Sequence, residues 1–348
     1  MQLVELHSKA EKKSFTAFRA ELYRGDPGYV CTEKFVLSSV LFRETDFVRS
    51  CQILPVQVRE GDRVLAQAIV LRHPALPYIQ ISFFDALPDC GRAVDMLAGK
   101  AREWEREQNA QGIIVGLNAH ISYGVGILSE GFDRKNSFDS QYNKSYYREY
   151  FAGCRKDTLS TYKCPLERAI GNFPRTTAGC IRVRSCNLRR YREETELMRA
   201  LCEKTIAKTH LYFPTAPSHF YQLTGALKAF LRPENLLFAE NEQGETLGFL
   251  FWHPDYNQML AAGREYSLAE IAGSWLFHRK RIDTVKVNAL GSLSYRATFA
   301  LLDRFRQYVQ GKYAFVETNF VWDNNLKSSL MMHRLFGTYD RKYEVYYL

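Results

Sequence analysis

Between a predicted strand and a predicted helix, residues 287–305 read VNALGSLSYRATFALLDRF, with no carboxylate before Asp303. Gly291, Ser292, Ser294 and Arg296 lead into that helix, and Ala297 follows. A helix N-terminus carries about +0.5 charge and several N–H groups without intrahelical partners. A start without acidic side chains therefore tolerates an anion and suits a diphosphate. The same residues would also serve as a plain strand-to-helix connection. The matching place in the first half of the chain, DALPDCGRAVDM (85–96), has the opposite charge. Asp85 and Asp89 flank the helix start there, and Asp95 lies one turn in. Carboxylates cap helices and repel a diphosphate. The expectation is an anion accepted in the second half and refused in the first.

Other residue types could bind a ligand or move a proton. Glu317 lies in a predicted strand, and His333, of a type that titrates near pH ~6.5, lies in a predicted helix over 325–336. Asp323, Asn324 and Asn325 read as an N-cap cluster for that helix. HPDYNQ (253–258) follows a strand, so Asp255 and Asn257 either orient an amine or form an Asx turn. Tyr142, Tyr146 and Tyr147 run together with Asn143 and Arg148. On a helix Tyr146 and Arg148 cannot share a face with Tyr147, so part of this run should be exposed. It would line a cleft, stack on bases or pack between the halves. The basic runs RVRS with NLRRYR (182–192) and FHRKR (277–281) are either phosphate contacts or solvated faces.

The chain has 348 residues, and 47 Lys+Arg against 38 Asp+Glu leave a net charge of +9. That length suggests two domains, and 46% hydrophobic with 14% aromatic residues excludes a disordered chain. The basic balance favours a polyanionic partner such as nucleic acid or a nucleotide-bearing cofactor. No run approaches the ~18 apolar residues of a membrane span. The opening MQLVELHSKAEKKSF lacks the apolar core of a secretory signal. A soluble, cytoplasmic protein is expected. Eight cysteines form no CxxC pair, and Cys180 with Cys186 has no second pair beside it. Neither zinc nor a disulfide framework is expected.

Periodicity places these residues on elements. In the first half it predicts a helix over 15–24, strands over 52–58, 63–71 and 78–84, and a helix over 90–108 with Val94, Leu97, Ala98, Ala101 and Trp104 on one face. A strand from Gly112, a helical 146–151 and an extended 157–163 follow. The second half repeats the order. It has a strand at 180–185, helices at 188–209 and 217–230, and a hairpin of 236–240 with 246–252. A strand at 284–287, a helix at 295–309, a strand at 313–320, a helix at 325–336 and a closing strand at 342–348 complete it. Pro, Gly and Thr mark 165–179 as the linker, giving domains 1–165 and 166–348. The layout is α/β with mixed sheets.

These elements resemble the GNAT (general N-acetyltransferase) superfamily, and more closely a bacterial group with two GNAT-like halves. The resemblance is carried by LYRGDPGYV (22–30), GLNAHISYGVGILSEGFD (116–133) and YNKSYYREYFAG (142–153) in the first half. In the second it is carried by FLFWHPDYNQML (249–260), ETNFVWDNNLKSSLMMHRLFG (317–337) and KYEVYYL (342–348). It implies two tandem domains, each a mixed twisted sheet flanked by helices, with a first copy that binds no CoA and a second that holds the acyl donor.

By the same resemblance, Val287, Asn288, Gly291, Ser292, Ser294, Arg296, Ala297 and Asn325 would hold acetyl-CoA or another acyl-CoA. Glu317 would be the base, where the sheet splays, and His333 the acid. Asp255, Asn257, Tyr142 and Tyr147 would face a small-molecule or peptide amine. No metal and no membrane partner is implied. The family loop's second glycine and the tyrosine of its last helix are absent here. Two alternatives therefore stand beside an acyltransferase: a Fem-type transferase using aminoacyl-tRNA, and a non-catalytic binding protein on the same scaffold.

Overall fold

In a computed structural model, residues 1–31, 34–173, 180–225, 228 and 230–348 are described. The chain runs β1 (Gln2–Glu5), α1 (Lys9–Leu22), β2 (Val30–Cys31), α2 (Lys34–Phe42), α3 (Asp46–Ser50), β3 (Gln52–Glu60), β4 (Arg63–Arg72), β5 (Ile79–Ala86), α4 (Gly91–Glu107), β6 (Ile113–Val115), β7 (Ile127–Glu130), α5 (Tyr147–Tyr150) and β8 (Arg155–Thr161). It continues with β9 (Lys163–Pro165), α6 (Leu166–Asn172), β10 (Arg182–Ser185), α7 (Tyr191–Thr205), α8 (Pro217–Gly225), β11 (Leu236–Glu240), β12 (Thr246–Pro254) and β13 (Arg264–Glu265). The remainder is α9 (Leu268–His278), β14 (Thr284–Ser292), α10 (Tyr295–Val309), β15 (Phe315–Thr318), β16 (Val321–Trp322), α11 (Leu326–Phe336) and β17 (Arg341–Tyr347). Two compact units result, and no helix among the described residues is long and apolar enough to cross a membrane.

The first unit takes residues 1–159, 260–270 and 341–348. Its sheet runs β1-β3-β4-β5-β6-β17-β8, with β7 also on β17. β5 and β6 are parallel, whereas β3, β4 and β5 form an antiparallel meander. On one face Val56, Val58, Ala66, Ala68 and Val70 meet Ala93, Val94, Leu97 and Ala101 of α4, the stripe read from the sequence. Helix α1 begins earlier than its apolar spacing suggested, at a capping box of Ser8 and Glu11.

The opposite face of that meander buries polar groups. Gln57, Gln67 and Asp85 are register partners on β3, β4 and β5, and all three are fully buried. Gln57 Nε2 donates to Gln67 Oε1 at 2.9 Å, and Gln67 Nε2 donates to Asp85 Oδ2 at 3.1 Å. Arg19 of α1 places Nη1 3.1 and 3.2 Å from the two Asp85 oxygens, and the Tyr23 hydroxyl donates to Oδ1 at 3.2 Å. Burial pushes the Asp85 carboxyl above its usual range, while Arg19 and these donors pull it down.

The second unit takes residues 160–259 and 271–340. Its six-stranded sheet runs β10-β11-β12-β14-β15-β9. Leu237, Leu250, Trp252, Val285 and Val316 pack under Ala297, Leu301, Leu302, Phe305 and Val309 of α10. On the other face Phe238, Phe249 and Phe251 meet Tyr191, Met198, Leu201 and Cys202, all of α7.

Three expectations change. The linker placed at 165–179 is ordered secondary structure over its first part. β9 and α6 bury Cys164, Leu166, Ala169 and Ile170 in the second core, and residues 174–179 lie outside the described residues. A domain boundary at 165/166 differs from the division into units, which falls after Leu159. The closing strand, read as part of the second half, pairs with β6 and β7 and belongs to the first unit.

Breaking a buried ion pair by removing one partner costs about 3–5 kcal/mol, because the other charge is left without compensation. Asp85→Ala and Arg19→Met should each destabilise the chain by about that much. The double replacement should cost less than the sum of the two. Urea denaturation of the four proteins measures the coupling.

Candidate active site

In the second unit β14 and β15 run parallel only from Thr284↔Phe315 to Val287↔Thr318. Asn319 N–H then donates to Val287 O at 2.9 Å, and β14 continues to Ser292 against β12 alone. At the parting point the β12–β14 register steps from Trp252↔Val287 to Phe251↔Ala289, so Asn288 is the extra residue of a β-bulge. Beyond this point that edge of β14 has no strand partner among the described residues.

Beside it, a row of ionisable groups crosses four strands. His253, Lys286, Glu317 and Lys163 are successive register partners on β12, β14, β15 and β9, hence on one face. The first three are buried, and Glu317 Oε2 lies 3.9 Å from Lys163 Nζ. Burial, reinforced by the Lys286 charge, lowers the His253 pKa to about 3. Its ring is neutral at ordinary pH.

At the start of α10 the structure revises the sequence reading. Gly291 and Ser292 are not in a loop. They extend β14, paired with Phe249 and Gly248. A Cβ on Gly291 would sit 2.4 Å from Thr205 Oγ1 and 2.6 Å from Phe249 Cε1, so glycine is required there by packing. Ser294 is the N-cap, and its Oγ accepts the Ala297 N–H at 3.1 Å. The helix therefore satisfies one of its own donors. No acidic side chain stands in its first turn, and Arg296 is exposed.

Other predicted residues of this unit have local partners. Asn325 caps α11, accepting from Ser328 N–H at 3.3 Å. Asp255 is buried and accepts the Asn257 N–H at 3.2 Å, an Asx turn. His333 lies in the last turn of α11 with Nδ1 3.0 Å from Gly337 O. In the basic runs, Arg184 is bonded to Glu194 and Glu240, and Arg190 to Glu193. The charge of these two arginines is met within the unit.

The first unit carries the corresponding geometry. Parallel pairing of β5 with β6 ends at Ile81↔Val115, and the β4–β5 register steps between Ile69↔Ser82 and Gln67↔Asp85. Phe83, inside this irregularity, has φ 51°, an uncommon backbone for an aromatic residue. Its N–H is held by Asn118 Oδ1 at 2.7 Å. A cleft opens here, lined by Arg19, Phe83, Asn118, Gln141, Tyr142 and Tyr147 among others. Tyr142 and Tyr147 thus share one cleft, whereas Asp255 and Asn257 belong to the other unit.

The acidic cap expected before α4 is absent. Asp85 turns into the buried network, Cys90 is the N-cap and has no side-chain cap bond, and no carboxylate stands in the first turn. Tyrosines hold this loop instead. Tyr146 OH donates to Ala86 O at 2.8 Å, and Tyr147 OH accepts from Ala86 N–H at 3.0 Å. Tyr150 OH accepts from Cys90 N–H at 3.2 Å and donates to Leu87 O. Tyr146, Tyr147 and Tyr150 are therefore a clamp on the helix entry, while Tyr142 donates to Asp26 Oδ1 at 2.9 Å and Arg148 is exposed, as part of the run was expected to be. The sequence reading missed Arg19, Tyr23 and Gln67. A glutamine and an aspartate inside otherwise apolar strands were the signal available.

This architecture is the GNAT fold, present as two tandem halves. The chain is similar to a tandem GNAT protein from the clavulanic acid biosynthesis pathway, at 13% identity and TM-score 0.53, over 100% of this chain and 98% of the other. It is similar to a candidate N-acyltransferase from Enterococcus faecalis at 11% identity and TM-score 0.58, over 99% of this chain and 71% of that one. A GCN5-related N-acetyltransferase from Sphaerobacter thermophilus aligns at 13% identity and TM-score 0.50, over 99% and 95%. At such identities the likeness is one of fold. No family model and no curated protein sequence matches the chain.

If packing alone requires glycine at 291, Gly291→Ala should cost about 1–3 kcal/mol in chemical denaturation and leave ligand binding by the folded protein unchanged. Unchanged stability with lost binding would place the glycine at a ligand instead.

Proposed function

We propose that the chain is an N-acyltransferase, moving an acyl group from a CoA thioester to the amine of a small molecule or peptide. The observation that carries this reading is the parting of β14 from β15 after Val287 and Thr318, beside the bulge at Asn288. A pantetheine arm can enter such an opening and pair with strand backbone there. Val287 and Asn288 would flank the arm. Ser292, Ser294 and Arg296, at a helix start without carboxylates, would face its phosphates, and Asn325 would stand at the start of α11. Ala297, buried in the core with its N–H bonded to Ser294 Oγ, is not used.

Glu317 immediately precedes the parting point and is the base in this reading. The amine nitrogen attacks the thioester carbonyl, a C–N bond forms, the C–S bond breaks and the thiolate leaves. Glu317 receives the amine proton. Lys163 Nζ lies 3.9 Å from that carboxylate, and Lys286 is the register partner of Glu317 on β14. Asp255 and Asn257 would orient the acceptor. The cleft of Tyr142 and Tyr147 would serve recognition in the first unit. The reading does not use His333, whose Nδ1 faces Gly337. The first unit would take no CoA because tyrosine hydroxyls already occupy the backbone groups at the entry to α4.

Calorimetry with acetyl-CoA and longer acyl-CoAs tests the donor, and thiol release with a panel of amines tests the chemistry. Glu317→Gln should bind donor as the native protein does and lose about 10²–10⁴-fold in kcat. Absence of binding to every acyl-CoA would remove free CoA as the donor. Binding without any turnover to lose would leave a non-catalytic binding protein.

A further inference from the structure

We infer that the start of α10 and the outer face of α11 form a docking surface for an acidic carrier protein, which presents the acyl thioester on a phosphopantetheine arm. This rests on the donor reading above and specifies the form in which the donor arrives.

Soluble surfaces rarely keep large apolar side chains together in the open without a use for them. Leu326 is 71% exposed and Leu330 68%, one turn apart on α11, and Tyr295 at the start of α10 is 63% exposed. Leu293 and Met331 are exposed as well. Lys327 Nζ lies 4.9 Å from the centre of the Tyr295 ring, so the two helix starts adjoin. The two segments forming this surface carry no negative charge themselves, and the bordering Asp323 accepts a hydrogen bond from Ser160 Oγ at 2.8 Å. Neither 287–302 nor 324–339 contains an Asp or Glu, while Arg296, Lys327 and Arg334 are exposed. Leu326, Leu330 and Arg334 follow at one-turn spacing, so apolar and cationic groups share one stripe.

A partner that fits must offer apolar side chains and carboxylates together. An acidic protein surface does so, whereas a nucleic acid has no apolar side chains to set against Leu326 and Leu330. The position of the stripe supplies the rest. It begins where α10 and α11 begin, at the end of the sheet where β14 has left β15. An arm entering the opening arrives past these residues.

The chemistry of the α10 start favours a tethered arm over free CoA. Ser294 already accepts the Ala297 N–H, and Gly291 is committed to Phe249 and Thr205 rather than to close approach of a diphosphate. A carrier-bound arm has a single phosphodiester, and its affinity comes from the protein surface that carries it. The acyl chemistry is unchanged: the amine displaces the carrier thiolate, which leaves on the arm.

Calorimetry on the full chain, with acetyl-loaded acyl carrier protein and acetyl-CoA as the probes, tests this. The loaded carrier should bind about tenfold or more tightly than acetyl-CoA. Leu326→Ser with Leu330→Ser, and separately Lys327→Glu with Arg334→Glu, should each weaken carrier binding about tenfold or more, and the leucine pair should leave acetyl-CoA binding unchanged. All four side chains are exposed, and thermal melts of the variants check that folding is intact. Carrier binding no tighter than acetyl-CoA, or indifferent to both pairs of changes, overturns the inference and leaves the donor reading in place. Binding of neither thioester removes both. The inference also falls if tRNA or phosphatidylglycerol vesicles bind and lose that binding in these variants, or if the leucine pair instead dissociates a dimer of the chain.

Discussion

A carboxylate out of reach of water must be met by charge and hydrogen bonds, and Asp85 imposes that condition on the first unit. Arg19 meets it from α1, Tyr23 from one turn further on, and Gln67 from the neighbouring strand. Tyr147 touches the same carboxylate at 3.4 Å while holding the Ala86 N–H. The network therefore fixes how α1 lies on the sheet and where α5 meets the end of β5. The cleft lined by Arg19 and Tyr147 has a floor set by these bonds. Its shape follows from an electrostatic requirement rather than from apolar packing.

The two units repeat one design with different side chains. Each interrupts the strand before its long helix with a register irregularity, at Phe83 in β5 and at Asn288 in β14, and each ends parallel pairing just before it. Each also buries a polar row across successive strands. In the first unit the row is Gln57, Gln67 and Asp85, and in the second it is His253, Lys286 and Glu317, with half-buried Lys163 at its end. The helix entries then diverge. Tyrosine hydroxyls clamp one, and Ser294 caps the other. The units differ at that corner in what satisfies the backbone and in charge, since Asp89 precedes the N-cap of α4 and 287–302 holds no carboxylate.

How much of this was legible in the sequence depended on whether the signal was local. The stripe of α4, the span of α10 and the strands β3 and β4 were read correctly, because a repeating apolar face is visible in one short window. Helices α2 and α9, KFVLSSVLF and LAEIAGSWLFH, were missed, since apolar residues around most of the circumference leave no stripe to detect. Asp85 was misassigned for a different reason. Its position along the chain suggested a helix cap, but strand alternation turns it to the other face, toward Arg19. Gly291 likewise fitted a phosphate loop by type, whereas its neighbours Thr205 and Phe249 come from α7 and β12. Contacts of that kind cannot be read from residue spacing.

Because β17 lies between β6 and β8 in the first unit's sheet, that sheet cannot close until residue 341 and its successors have been synthesised. Domains generally fold as units, the amino-terminal one first, as the ribosome releases them. Here the amino-terminal unit has an open slot with unpaired strand edges throughout translation of the second. Such edges are templates for wrong pairing. A chain arrested or cleaved late in synthesis would carry this vulnerability permanently, even with every residue of the second unit in place.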